Sequence, residues 1–140
     1  MQVKDLMTRA VTWARPDTSI KQIARLMRQE NIGSVPVCTD RGEILGIVTD
    51  RDIVVRSLSL DEEKAKAKDI MTKSPISVHP DMNTHQAALL FAKHQVRRLP
   101  VVESNRLVGV LALADVARKN IYIDEAGDAL SAISKPSTLS

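Results

Sequence analysis

The sequence predicts an α+β fold made of two copies of one β-α-β-β-α unit, packed as a pair with pseudo-two-fold symmetry. Two observations predict it. The first is an internal duplication running through most of the 140 residues. The second is the pattern inside each copy, where a helical apolar period gives way to two short apolar runs joined by turn residues. Lys4-Asp5-Leu6-Met7-Thr8 returns as Lys68-Asp69-Ile70-Met71-Thr72, an offset of 64 residues. At that spacing Pro16-Asp17 matches Pro80-Asp81, Gln22, Ala24 and Leu26 match Gln86, Ala88 and Leu90, and Pro36-Val37 matches Pro100-Val101. One residue then drops out, and Gly46 and Asp52 match Gly109 and Asp115 at offset 63. Two copies are too few for a solenoid, so a pair packed on each other is expected.

Each element follows from local chemistry. Val11-Thr12-Trp13 is a short strand candidate. Ser19 and Gln22 have the spacing of a capping box, and Asn83 with Gln86 repeats it. Ile20, Ile23, Ala24 and Met27 recur at helical spacing and define one apolar face, and the helix fades at Asn31-Ile32-Gly33. Val35–Cys38 and Ile44–Val48, joined through Asp40-Arg41-Gly42, read as a hairpin. Its copy-two counterpart turns at Ser104-Asn105, where the one-residue gap falls. A second helix is expected from Thr49-Asp50 to about Ser57, and its counterpart from Ala112–Asp115 to about Asn120. The connector Ser59–Ala67 carries Asp61-Glu62-Glu63-Lys64-Ala65-Lys66 and reads as a charged, solvated, helix-compatible stretch. The tail after Ile123 is expected to be partly disordered, with a short helix over Glu125–Ile133 as the other reading. The resulting organisation is motif one over 1–60, linker 61–67, motif two over 68–120 and tail 121–140.

Composition excludes several classes of function. Apolar residues make up 44%, but Trp13, Phe91 and Tyr122 are the only aromatics, so the core is aliphatic and offers no row of rings for stacked bases. Twenty Lys and Arg against 17 Asp and Glu leave a net charge of +3, too small and too scattered for a nucleic-acid surface. Cys38 is the single cysteine, so no internal disulfide forms, and its apolar neighbours suggest a buried structural thiol. No signal core and no run of about 20 apolar residues is present, which leads to the expectation of a soluble cytoplasmic protein away from membranes. The chain lacks GxxxxGK[ST], GxGxxG, HExxH and GxSxG. His79, His85 and His94 share no metal-ligand spacing, and Glu62-Glu63 fall in the connector. Neither an enzyme nor a metal site is expected.

Two segments carry chemistry. In Gly46-Ile47-Val48-Thr49-Asp50-Arg51-Asp52, a glycine permits close approach to a strand. Thr49 places a hydroxyl at the strand-to-helix corner, and Asp52 places a carboxylate in the first helical turn. A carboxylate there would accept two hydrogen bonds from the vicinal diol of a ribose. The other reading is a helix cap, with Thr49 or Asp50 capping and Asp52 favouring the positive end of the helix. The recurrence of aspartate at 115 after Gly109 favours a ligand. In Gln95-Val96-Arg97-Arg98-Leu99-Pro100-Val101, two arginines precede a short strand. Their planar forks of donors suit phosphate, the alternative being a solvated basic edge. Copy one has Gly33 and Ser34 at the matching positions.

These residues closely resemble the cystathionine β-synthase (CBS) domain family. The resemblance rests on the Asp-Leu-Met-Thr and Asp-Ile-Met-Thr openings, the Val-Pro-Val and Leu-Pro-Val-Val strands and the glycine-to-aspartate segment, in order and twice. Lys4–Leu58 resembles one CBS motif and Lys68–Asn120 a second, a pairing known as a Bateman module. The resemblance implies two clefts between the motifs that bind AMP, ADP, ATP or a related adenosyl compound for regulation. Carried over, it gives Asp52 and Asp115 to ribose, Thr49 to ribose or phosphate, and Arg98 with Arg97 to the phosphates of the Asp115 cleft. Segments after each Met-Thr, around Arg9–Trp13 and Lys73–Ser77, would line the adenine of the opposite copy's cleft, with aliphatic contacts from Val11, Ile32 and Val96. Trp13 would stack on a base or bury against its own copy. The two sites depart from the family pattern differently. Copy one lacks a cation at Gly33-Ser34, where Arg51 is the candidate substitute. Copy two has Ala112 where Ser or Thr is usual. The Asp115 cleft is therefore expected to favour the phosphorylated ligand. The resemblance further implies a homodimer and an effector protein as partners, with no cofactor required. Two rivals stay open: a structural dimerisation module with vestigial clefts, and a nucleic-acid-binding regulator.

Overall fold

The computed structural model describes residues 1–56, 64–118 and 133. The connector residues 57–63 and almost all of the tail lie outside the described residues. So do the expected ends of the two second helices and the reading of Glu125–Ile133. Within the described chain the element order is α1 (Ile20–Glu30), β1 (Ser34–Cys38), β2 (Ile44–Thr49), α2 (Asp50–Arg56), α3 (Ala67–Ile70), β3 (Thr72–Lys73), α4 (Thr84–His94), β4 (Arg98–Glu103), β5 (Arg106–Ala112) and α5 (Leu113–Ala117). A single 3-10 turn, Val3–Asp5, precedes them.

The first helix of each copy forms as its caps dictate. Ser19 accepts from the Gln22 N–H at 3.2 Å to start α1, and Asn83 accepts from the His85 N–H at 2.7 Å to start α4. Both helices end on a left-handed residue, Asn31 with φ 53° and Gln95 with φ 53°. Ile20, Ile23 and Met27 are buried, but Ala24 is exposed, so the apolar face of α1 is narrower than its spacing predicts. The hairpins form where expected. β1 and β2 pair antiparallel from Ser34↔Thr49 to Cys38↔Ile44, with an irregularity between Val37 and Cys38. The β4–β5 turn places Ser104 and Asn105 at φ 51° and 66°, the left-handed pair that suits a two-residue hairpin.

The strand expected over Val11–Trp13 does not form. Its place is taken by one parallel bridge, Ala14 to Val37, made by two backbone hydrogen bonds of 2.8 Å. Arg15-Pro16 then turns the chain toward α1, and proline has no N–H to continue a ladder. Copy two repeats this with a bridge from Val78 to Val101, ahead of Pro80.

The compact units do not follow the repeat boundaries. One unit joins the body of copy one (10–75) to the copy-two hairpin turn, Ser104–Leu107. The other joins Met1–Arg9 to the rest of copy two, Ile76–Glu103 and the described residues from Val108. The opening segments are therefore exchanged. In the copy-one unit, Ala65, Ala67 and Ile70 are buried with Ile20, Ile23, Val35, Val37 and Val48. In the copy-two unit, Val3 is buried with Val78, Phe91, Leu99, Leu111 and Val116. Strand β3 adds to β2 through Gly46↔Lys73 and Ile47↔Thr72. Thr8 bridges Val110 through two hydrogen bonds of 2.9 Å. The connector's described end is not wholly solvated, because Ala65 and Ala67 anchor it beneath α1.

Two glycines make the exchange possible. A Cβ on Gly46 would sit 2.7 Å from the Thr72 carbonyl oxygen and 2.8 Å from the Met71 sulfur. A Cβ on Gly109 would sit 2.8 Å from the Thr8 carbonyl oxygen and 2.9 Å from the Met7 sulfur. Backbone cannot yield to such contacts as a flexible side chain does. Gly46→Ala and Gly109→Ala are each expected to lower stability by roughly 1–3 kcal/mol, measured as a lower urea midpoint.

Candidate functional site

Each compact unit builds the same corner from one strand end, one helix start and one exchanged segment. In the copy-one unit, β2 runs through Gly46 into α2. Thr49 and Asp52 form a reciprocal cap there. The Asp52 N–H donates to Thr49 Oγ1 at 3.1 Å, and the Thr49 N–H donates to Asp52 Oδ2 at 2.9 Å. The other carboxylate oxygen of Asp52 lies 3.6 Å from Arg56 Nε. Arg56 in turn donates to the carbonyl of Ile70 at 3.2 Å, linking the cap to the end of α3. Asp52 is 8% exposed. The capping reading of this segment is thus realised in copy one. A carboxylate offers about four acceptor directions, so two intramolecular partners leave room for a diol.

Copy two keeps the frame and loses the cap. Ala112 precedes α5 and provides no side-chain cap. The Asp115 carboxylate is 22% exposed and meets Arg118 Nη2 at 2.9 Å. The Arg97 carbonyl accepts from the Leu113 N–H at 2.9 Å, which ties the arginine pair to the start of the helix bearing Asp115. Arg97 and Arg98 are exposed and make no ion pair among the described residues. The exchanged segment, Met7-Thr8, crosses Gly109-Val110 in the same unit. Val96 is half-buried against this unit's core.

The copy-one corner differs in charge. The Gly33 carbonyl accepts from the Asp50 N–H at 2.9 Å, repeating the Arg97–Leu113 bond with a glycine and an acid. Ile32 is half-buried against the copy-one core, and Val11 is half-buried in the same unit. Lys73 is exposed beside Gly46. The structure thus brings Thr49, Asp52 and Ile32 into one unit and Arg97, Arg98, Asp115 and Val96 into the other.

Sequence reasoning missed two partners, Arg56 and Arg118. Both lie three or four residues beyond the aspartate they meet, a spacing that helical geometry brings onto one face. An open groove of about 590 Å³ lies along α1, lined by Trp13, Arg15, Thr18, Gln22, Arg25 and Leu26 among others, and it contains none of the residues expected to hold ribose or phosphate. Trp13 is half-buried at its edge. Among the described residues, no group of three or more His, Cys, Asp or Glu is placed to hold a metal ion, and no helix is long and apolar enough to cross a membrane. Cys38 is buried, and burial pushes its thiol up to about 11.

A family profile described as the CBS domain matches residues 3–59 and again 67–121. The chain belongs to the CBS-domain family. This CBS pair is 39% identical over 133 residues to the CBS domain-containing protein YhcV of Bacillus subtilis, covering 94% of each chain. Its fold matches a crystal structure of CBSX2, a CBS-pair protein of Arabidopsis thaliana, in complex with AMP. That match has a TM-score of 0.77 at 29% identity and covers 88% of this chain and 98% of that one. It also matches the CBS domain pair of protein MJ0100 in complex with 5′-methylthioadenosine and S-adenosyl-L-methionine. Here the TM-score is 0.73 at 28% identity, covering 84% and 94%.

Three outcomes follow from this geometry. Thr49→Ala removes the acceptor of the Asp52 N–H and is expected to cost about 1 kcal/mol. Ala112→Thr, which supplies the missing cap, is expected to gain a similar amount, both read from urea midpoints. Native protein at pH 8 is expected to leave Cys38 unmodified by a thiol reagent, and unfolded protein to react fully, because the thiolate is the reactive form.

Proposed function

We propose that this chain is a regulatory CBS-pair module that binds an adenosine nucleotide of the AMP, ADP or ATP class. In the copy-two corner, Asp115 accepts from the ribose diol while Arg97 and Arg98 take the phosphates. One observation carries the reading: the Arg97–Leu113 backbone bond holds two arginines, free of ion pairs among the described residues, beside the start of the helix that bears Asp115. A diol acceptor and a phosphate clamp on one short corner match the two ends of a nucleoside phosphate. The AMP complex of a structural neighbour supports the same ligand class. Thr49 and Asp52 form the weaker second site, because Asp52 already serves a backbone N–H and Arg56. Aliphatic contacts from Val96 in one site, and from Ile32 in the other, suit adenine.

A ligand in either corner touches both sequence copies, because each corner holds the other copy's opening segment. It therefore biases conformation or self-association to the extent that it binds one arrangement better than another. The output in this reading is a homodimer's state, read by an effector protein in the cytoplasm.

Calorimetric titration with AMP tests the proposal. Wild type is expected to bind. Asp115→Ala and Arg98→Ala are each expected to weaken binding by about tenfold to a hundredfold, the loss of a charge-assisted hydrogen bond. Unchanged affinity in both variants overturns it. A flat response to all adenosine compounds would favour a dimerisation module with vestigial sites, and steeply salt-dependent binding of nucleic acid would favour the other rival.

A further inference from the structure

We propose that Asp50 makes the copy-one corner select against phosphate. That corner then takes adenosine compounds that are uncharged or cationic at the 5′ position, while the copy-two corner takes the phosphorylated ones. The inference rests on the reading of both corners as adenosine sites.

Both corners are closed by the same backbone bond, from the first residue of the helix to the residue before the hairpin, and the side chains on that bond are inverted in charge. Copy two places a guanidinium at Arg97 and a leucine at 113. Copy one places no side chain at Gly33 and a carboxylate at Asp50. The Asp50 Oδ2 lies 3.3 Å from where a Cβ on Gly33 would sit, so the carboxylate stands where the equivalent of the Arg97 side chain begins. Its other oxygen accepts from the Arg51 N–H at 2.8 Å, which holds it in place. Asp52 adds a second carboxylate in the same first turn, and Ser34 stands where copy two has Arg98. Arg51 is the nearest cation in sequence and is exposed, with no ion pair among the described residues.

Asp50 is exposed, and even there a carboxylate within a few ångströms of a phosphate dianion lowers its affinity by up to about tenfold at low salt, and draws a cation by a smaller factor. Gly33 provides no counter-ion, and the space beside it faces the Asp50 carboxylate. The two corners thus share a ribose acceptor and differ in what they tolerate beyond it.

The test uses the full chain carrying Arg97→Ala and Arg98→Ala, so that the copy-two clamp is gone, titrated with AMP and with 5′-methylthioadenosine. This background is expected to bind methylthioadenosine at least tenfold more tightly than AMP. Adding Asp50→Asn is expected to raise AMP affinity about tenfold and leave methylthioadenosine within twofold. Unchanged AMP affinity, or an equal gain for both ligands, overturns the proposal. So does a loss of AMP binding on Arg51→Ala, which would make Arg51 the phosphate partner. Wild-type protein that binds neither ligand overturns the adenosine reading itself, an outcome distinct from failure of the Asp50 filter.

Discussion

The contact on which the fold depends is a methionine lying across a glycine, made twice. Met71 crosses Gly46 and Met7 crosses Gly109, each with a carbonyl oxygen so near that no side chain fits between. The repeats cannot be separated at the linker, because each hydrophobic core contains residues of the other repeat's opening segment. Val3 is fully buried among copy-two residues, and Ala67 and Ile70 among copy-one residues. The exchange also sets the site. The strand that each segment crosses is the one that leads into the helix bearing the aspartate, and in copy one Arg56 ties the two together through the Ile70 carbonyl and Asp52.

From that shared frame the repeats diverge at few positions. Thr49 closes a cap on Asp52 in copy one, while Ala112 leaves Asp115 to Arg118 in copy two. Gly33 with Asp50 stands against Arg97 with Leu113. The cap stabilises a helix start in the first case, and its absence leaves the acceptor more open in the second. Capping and ligand binding are therefore not alternatives for the glycine-to-aspartate segment. A carboxylate that caps a helix N-terminus keeps further acceptor directions, so the cap on Asp52 and the proposed ligand are compatible.

Much of this was legible in the sequence because it is local. Ser19 and Asn83 cap the helices that their positions announce, the two hairpins turn where glycine or asparagine permits positive φ, and the duplicated motifs identify the family. The exchange of opening segments was not legible, since Lys-Asp-hydrophobic-Met-Thr reads the same whichever copy receives it; only long-range packing decides. The Val11–Trp13 strand failed for a related reason. β-branched residues favour extended backbone, but the neighbouring Pro16 limits pairing to the single bridge at Ala14. Ala24 fits the helical period yet lies outside the core, since a small side chain at the stripe's edge gains little from burial. Arg56 and Arg118 were overlooked as partners because an i to i+3 or i+4 pair is unremarkable until one member has a functional reading.

The central claim is that the Asp115 corner is a nucleotide site. The most direct measurement is a crystal structure of this chain with AMP. The account predicts the ribose hydroxyls within hydrogen-bond distance of the Asp115 carboxylate and the phosphate on Arg97 and Arg98. Density for the nucleotide in the groove along α1, with both arginines left in solvent, would contradict it.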